Sequence, residues 1–295
     1  MSEEVRWEQM FPDQLEAAFA ACPAVYFAYG LCEPHGPQNA LGLDALKAHA
    51  ILVQVAREHG GIVAPPDYWH IHELGGYAIW AAENVGEVRP WMTAMPPWMH
   101  FKNICYHLRA AEVLGFRAAL LLTGHYGPNW RDLQTLCGLI QPYLRLQVYG
   151  LPDFEANKPG FPGDGASGDH AGKVETSLLW ALRPECVDYS RMPAEPKLPL
   201  FAMGANAKEA NREIGARMVA DEVAWLGRKK EELLAAYDPE APSRLRTFDQ
   251  VEEFWAAEVK PRLAEFESMK QFRPDKDGPP EGSRWRENWQ VGAWG

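Results

Sequence analysis

Residues 29–44 place Glu33, His35 and Asp44 directly after an apolar segment, in a stretch rich in turn-forming residues. A carboxylate and an imidazole two residues apart project to the same side of an extended chain. The glycine-proline pair that follows His35 can turn the chain, so that the second carboxylate returns to the first two groups. Mixed oxygen and nitrogen donors without a thiolate suit Zn, Mn or Fe better than Ca. This spacing predicts a metal site.

Two later segments carry similar chemistry. An apolar run typical of a buried strand ends at His125, and a predicted helix begins with Asp169, His170 and Glu175 in its first turns. In an open α/β sheet, the loops that leave the carboxyl ends of strands meet in one crevice. Any one of these residues is more often an ordinary loop or helix residue. Their recurrence in three segments favours a single site built from all three.

These three blocks resemble the creatininase family. The family patterns run approximately Glu-x-His-Gly-Pro-x-Asp, then a strand that ends Asn-Gly-His, then Asp-x-His-Ala-Gly-x-x-Glu-Thr-Ser. All three occur here in that order, and the resemblance covers roughly residues 20–225. It implies an α/β fold, a three-layer α/β/α sandwich with a mostly parallel central sheet, and a metal-dependent hydrolase.

The resemblance also implies a ligand set. Glu33, Asp44 and His125 would hold one divalent ion, and His35 and Asp44 would hold the other. Creatinine-hydrolysing members carry a glutamate on the second ion where this chain has Gly127. Branches that read Gly-His-Gly-Gly-Asn are more similar to this chain, and in them Glu175 is the natural replacement. The alternative for Glu175 is a carboxylate that complements the helix dipole.

Two divalent ions (Zn, Mn or Fe) that share a hydroxide could hydrolyse amides and lactams. His170, at a predicted helix N-terminus, would be the catalytic residue that protonates the leaving nitrogen. Its alternative is a packing histidine at a helix end. Asp169 is expected to cap this helix.

The pocket is predicted to bind its substrate through Trp69, His70, Tyr126 and Asp169. Residues 67–99 are unusually aromatic, and they fit an active-site wall or lid as well as a subunit contact. Aromatic side chains suit a small, flat, polar ring. Because the residues after His-Gly-Pro differ from the creatinine-specific pattern, creatinine itself is not the favoured substrate.

The leading hypothesis is therefore a hydrolase that opens a small cyclic amide or a related C–N bond. One alternative keeps the metals but cleaves a C–C or lactone bond in a carbohydrate or cyclitol derivative. Another is a non-catalytic metal-binding member of the family, motivated by the missing glutamate after His125.

Composition and charge argue against nucleic acid and membranes as partners, which leaves a small-molecule substrate. A chain of 295 residues with 47% hydrophobic content can bury one substantial core. The formal charge of −11 disfavours nucleic acid, and phosphate-binding glycine motifs are missing from the sequence. We expect no membrane span and a cytoplasmic location. The resemblance implies a homo-oligomer, with the hexamer as a common form in the family.

Strand-like and helix-like segments alternate, which is typical of a parallel sheet covered by helices. Residues 1–245 are predicted to form the metal hydrolase domain. Residues 246–295 are predicted to form a C-terminal helix, residues 248–269, and a Trp-containing tail that packs on the domain or on a neighbouring subunit. A long helix is predicted over residues 205–237, and a strand over residues 144–149.

Overall fold

The computed structural model describes residues 4–72, 91–127, 129–156, 169–194 and 202–271. None of the helices in these residues is both long enough and apolar enough to cross a membrane.

The centre of the fold is a parallel sheet. Its strands are β1 (Ala24–Tyr29), β2 (Ile62–Val63), β3 (Ala118–Thr123) and β4 (Gln147–Pro152), in the order β2-β1-β3-β4. Tyr29 pairs with Thr123, and Thr123 pairs with Pro152, so the three longer strands end level with one another. Side chains that follow these strands must therefore emerge at the same edge of the sheet.

Helices connect and cover the strands. They are α1 (Pro12–Ala21), α2 (Leu43–His59), α3 (Pro97–Leu114), α4 (Asn129–Ile140), α5 (Lys173–Leu182), α6 (Arg212–Ala236), α7 (Phe248–Phe254) and α8 (Glu267–Gln271).

Both faces of the sheet are buried. Val25 and Phe27 of β1 pack in a core with α3, α4 and the C-terminal helices, whereas Ala24 and Tyr26 pack in a second core with α2, α5 and α6. Strands buried on both faces read as continuous apolar runs, and β1 and β3 do so. The structure confirms the predicted three-layer α/β/α sandwich.

The long helix predicted from residue 205 begins later, at Arg212. The side-chain oxygen of Asn211 accepts hydrogen bonds from the backbone N–H groups of Glu213 and Ile214. This N-cap satisfies two of the donors that a helix start leaves free, and so it fixes the beginning of α6. The predicted start was wrong because a short 3₁₀ turn, Ala207–Glu209, precedes the cap.

The C-terminal helix predicted over residues 248–269 is also wrong as one continuous element. After α7 the chain passes through a π-helical turn, Trp255–Val259, and a 3₁₀ segment, Lys260–Glu265, before α8. Pro261 lies in the 3₁₀ segment, and a proline inside a helix removes a hydrogen bond and clashes with the preceding turn. The interrupted segment still packs in the core beside α3 and α4, through buried Phe254, Val259 and Phe266.

The fourth strand is shifted relative to its prediction over residues 144–149, and it runs over Gln147–Pro152. A 3₁₀ turn, Gln141–Tyr143, occupies the chain just before the predicted start. The boundary between domains at residue 245 stays a prediction. The tail with its three tryptophans lies in residues 272–295, outside the described residues.

Candidate metal centre

The candidate centre lies where β1 and β3 end against the first turn of α2. Gly30 follows β1 and Gly124 follows β3, and each is packed against the backbone of this turn. A Cβ atom on Gly124 would lie 2.2 Å from the carbonyl oxygen of Asp44, and one on Gly30 would lie 2.3 Å from the nitrogen of Ala45. Only glycine allows this approach, which brings Asp44 to the loops that follow both strands.

Glu33 and His125 form the first half of the centre with Asp44. The Nδ1 atom of His125 lies 2.8 Å from Oε1 of Glu33 and 3.2 Å from Oδ2 of Asp44. Glu33 follows β1 and His125 follows β3, so two neighbouring strands supply these groups.

His35 and Glu175 form the second half with the other oxygen of Asp44. The Nε2 atom of His35 lies 3.0 Å from Oδ1 of Asp44 and 3.8 Å from Oε2 of Glu175. The Nδ1 atom of His35 donates to the carbonyl of Glu33, at 3.0 Å. Since that bond holds a proton on Nδ1, Nε2 is the atom that faces the carboxylates, and it can bind a cation once it has released its own proton.

These donors fit divalent cations. Glu33, Asp44 and Glu175 are three buried carboxylates packed close together, an arrangement that requires compensating positive charge. Oε1 of Glu33, Nε2 of His35 and both oxygens of Asp44 are buried and make no hydrogen bond of regular geometry, although they face one another and His125 at 2.8 to 3.2 Å. Donor atoms of His35, Asp44 and Glu175 all lie within 4.8 Å of one another. Imidazole and carboxylate donors of this kind suit Zn, Mn or Fe.

The electrostatics of the pairs follow from burial and mutual contact. Burial would raise the pKa of Glu33, but the imidazoles of His125 and His72 outweigh it and hold that pKa well below its usual range. Burial would lower the pKa of His35, but the carboxylate of Asp44 outweighs it and raises that pKa to about 9. The cluster therefore retains positive charge strongly, as protons or as metal ions.

The structure adds His72 to the predicted set. Its Nε2 atom donates to Oε2 of Glu33 at 2.7 Å, and its donor atoms group with those of Glu33 and His125. This hydrogen bond holds one oxygen of Glu33, so that the other faces His125. In the sequence, His72 is one of several rings in the aromatic segment, residues 67–99. Because that segment has no regular hydrophobic period, its pattern did not distinguish His72 from its neighbours.

Lys47 is a second group that was not predicted. It lies on α2 one turn after Asp44 and is fully buried. Its ammonium contacts Oδ2 of Asp153 at 3.0 Å, Oε1 of Glu175 at 3.1 Å and the hydroxyl of Tyr126 at 2.7 Å. Burial would lower the pKa of Lys47, but the two carboxylates outweigh it and raise that pKa above its ordinary value.

Glu175 lies in the first turn of α5. Its Oε2 atom accepts a hydrogen bond from the backbone N–H of Ala171 at 2.7 Å, while its Oε1 atom contacts Lys47. Burial raises the pKa of Glu175 to about 7, although Lys47 and His35 oppose that change.

His170 lies beside the centre. Its ring packs on the ring of His35 with 4.7 Å between centroids, and its Nε2 atom donates to the carbonyl of Pro34 at 2.9 Å. Asp169 accepts hydrogen bonds from the backbone N–H groups of Val174 and Glu175, as expected of a capping side chain. The helix itself begins at Lys173, after Gly172, so His170 lies before its first turn and not within it.

The predicted substrate-binding residues occupy different settings. Trp69 is 54% exposed, whereas His70 is buried and its ring lies 4.0 Å from that of His100, between centroids. Tyr126 directs its hydroxyl to Lys47, and Asp169 is engaged as a helix cap. Substrate binding by these four residues stays a prediction. Residues 73–90 of the aromatic segment lie outside the described residues.

Known proteins resemble this chain in sequence. A sequence model of the creatininase family, described as creatinine amidohydrolase, matches residues 8–229. A creatinine amidohydrolase of Pseudomonas putida is 25% identical over 248 residues, which cover 73% of this chain and 92% of that protein.

Solved structures share the fold. A crystal structure of creatinine amidohydrolase (creatininase) is 22% identical with a TM-score of 0.62, over 81% of this chain and 100% of that chain. A Zn-Zn type of a mutant creatininase has a TM-score of 0.62 at 23% identity, over 81% and 100% of the chains. A structure described as creatininase Mn has a TM-score of 0.60 at 23% identity, over 80% and 100%.

Proposed function

The chain belongs to the creatininase family of hydrolases, and from that premise we propose that it uses two divalent metal ions to open a small cyclic amide or a related C–N bond. The two-ion count, the substrate class and the residue roles below are parts of this proposal.

The observation that supports it most directly is the position of Asp44. Its two carboxylate oxygens face different partners, Oδ1 toward His35 at 3.0 Å and Oδ2 toward His125 at 3.2 Å. A carboxylate shared by two donor groups would hold two ions close enough to act on one substrate. Glu33 would complete the first group, and Glu175 would complete the second.

Zn, Mn or Fe ions bound by these donors would supply the Lewis acidity that activates a water and polarises the scissile carbonyl. The remaining steps belong to the protein. Buried Glu33, Asp44 and Glu175 hold their positions within a packed core, so little reorganisation is needed when charge develops on the substrate.

His170 is the residue we assign to proton transfer. Its ring packs on that of His35, and its donor atoms group with those of Glu33 and His35, although it belongs to neither pair around Asp44. Expulsion of an amide nitrogen requires a proton at that nitrogen, and an imidazole can deliver one near neutral pH. The bond from its Nε2 atom to Pro34 fixes the orientation of the ring.

The experiment is to remove and restore metal while a substrate panel is assayed. Five- and six-membered cyclic amides, with creatinine as a reference, are compared with formamides, lactones and cyclic ketones. We expect cyclic amide hydrolysis that stops on chelation and returns with Mn, Zn or Fe. Full turnover in excess chelator, with metal content near zero, would overturn the proposal.

The same panel separates the alternatives. Turnover of lactones or cyclic ketones alone would replace the C–N specificity with the carbohydrate or cyclitol chemistry. One bound ion per chain, without turnover of any compound, would favour a non-catalytic metal-binding protein.

A further inference from the structure

The two outer carboxylates of the centre are held in the same way by different groups. Glu33 turns one oxygen to His125 and the other to Nε2 of His72, at 2.8 and 2.7 Å. Glu175 turns Oε2 to the His35 side and Oε1 to the ammonium of Lys47, at 3.1 Å. An imidazole can donate this hydrogen bond while neutral, but an ammonium brings a full positive charge.

Lys47 is held where it is by more than Glu175. Its ammonium also contacts Asp153 and the hydroxyl of Tyr126, and its side chain is fully buried. A buried ammonium is retained only when carboxylates and hydrogen bonds satisfy it, and here they do. The charge is therefore a fixed part of this side of the centre, since the ammonium cannot move into solvent.

A fixed positive charge on one oxygen of a ligand carboxylate has two effects on a cation at the other oxygen. It withdraws negative charge from the donor, and it repels the cation through a medium of low dielectric constant. Asp153 offsets part of this effect because its carboxylate pairs with the same ammonium.

Resting on the proposed function, we propose that Lys47 weakens cation binding at the His35–Asp44–Glu175 site relative to the Glu33–Asp44–His125 site. The chain then binds its two cations with unequal affinity, and the ion beside Glu175 is the one that exchanges. The same withdrawal of charge makes that ion the stronger Lewis acid.

Titration of the metal-free protein with Mn²⁺ tests this, with calorimetry for affinity and electron paramagnetic resonance for free Mn²⁺. In the wild type we expect two equivalents in two classes, and Glu175→Gln should remove the weaker class. Lys47→Met should tighten the weaker class about tenfold, the scale of outer-shell effects on metal sites. Asp153→Asn should weaken it by about as much, because the ammonium loses its compensating charge.

Lys230→Met is the matched control. Lys230 is also a buried lysine, but it lies on α6 and donates to the carbonyl of His59 and to Glu231, away from the centre. Its loss should change the melting temperature without changing either class of Mn²⁺ binding.

Two equal classes in the wild type, or unchanged or weaker second-site binding in Lys47→Met, would overturn the inference while the proposed function stands. No Mn²⁺ binding by the wild type would overturn both. If Lys47→Met does not fold, as judged by circular dichroism, Asp153→Asn decides, since tighter or unchanged second-site binding there contradicts the inference.

Discussion

At the residue scale, His35 determines which protons leave when a cation binds. Burial would lower its pKa, but Asp44 raises that pKa to about 9, so near neutral pH the metal-free ring carries a proton on Nε2 as well as on Nδ1. A cation needs the Nε2 lone pair, and this proton must be released. We expect the release of roughly one proton per chain at about pH 7, and affinity that falls as the pH is lowered. Calorimetry in buffers of different ionisation enthalpy measures it.

Binding heats that do not depend on the buffer would contradict this assignment of the released proton to His35.

The stability of the metal-free chain should change with pH in the opposite direction to its metal affinity. Because the folded pKa of His35 is raised above its ordinary 6.5, the stability it contributes to the metal-free chain is present below about that pH. It is lost as the pH rises through about 9.

His170→Gln tests the proton-transfer role. We expect kcat to fall by roughly 10²- to 10⁴-fold, the usual contribution of a general acid, with both metal ions retained. Metal analysis and steady-state kinetics measure the two effects. A substrate whose leaving nitrogen is already a weak base should recover most of the rate. An equal loss with both kinds of substrate would assign His170 to packing on His35 instead.

The sequence placed some site residues together, and not others. Glu33, His35, Asp44 and His125 stand at motif positions, and the structure brings them into contact. Lys47 was missed because a lysine in a helix is normally exposed to solvent. The sequence does not show that this side of α2 is buried. Asp153 was missed because the predicted strand ended at residue 149, whereas β4 runs to Pro152 and makes Asp153 a strand-end carboxylate.

At the scale of elements, the contact between β3 and α2 depends on Gly124. Gly124→Ala would place a methyl group 2.2 Å from the carbonyl oxygen of Asp44. The helix or the strand end must then move, and we expect a loss of about 1–3 kcal/mol in the free energy of unfolding, together with weaker metal binding. Thermal denaturation and metal titration measure the two effects.

Gly138→Ala is the matched control. Gly138 lies within α4, and a Cβ atom there would have no neighbour within 4 Å. The substitution should stabilise the protein by about 0.5–1 kcal/mol, since alanine is the better helix former. If Gly124→Ala were as harmless as Gly138→Ala, the close contact would not position Asp44.

Elements with continuous apolar sequence were predicted well. The apolar run between Pro23 and Gly30 predicts a strand over residues 24–29, and β1 has these bounds. A strand buried on both faces is apolar along its whole length, so its ends are easy to recognise in the sequence. The C-terminal helix was predicted too long because the apolar period continues through residues 255–266, where the backbone leaves the α conformation at the π turn and at Pro261. The spacing of apolar side chains stays similar when an α-helix passes into a π or 3₁₀ turn, so it does not indicate where the α conformation ends.

At the scale of the whole molecule, the C-terminal segment belongs to the core. Phe266 is buried and its ring lies 5.0 Å from that of Phe101, between centroids. We expect Phe266→Ala to lower the free energy of unfolding by about 3–5 kcal/mol and to keep a single calorimetric transition.

Phe248→Ala is the comparison, because that ring is 63% exposed at the start of α7. It should cost less than about 1 kcal/mol. Two separate transitions in Phe266→Ala would show that residues 246–271 unfold as an independent unit.

The predicted cytoplasmic location and homo-oligomeric assembly are open to direct measurement by fractionation and by light scattering.

The donors of the centre come from parts of the chain that are far apart in sequence, the loops after β1 and β3 and the first turns of α2 and α5. An ion that joins them would act as a reversible cross-link. Because the unfolded chain would not bind the ion, the ion would stabilise the folded state. The lifetime of the folded protein would then rise with the free metal concentration around it. Starvation for metal would thus deplete the protein itself by exposing it to proteolysis, in addition to silencing its chemistry.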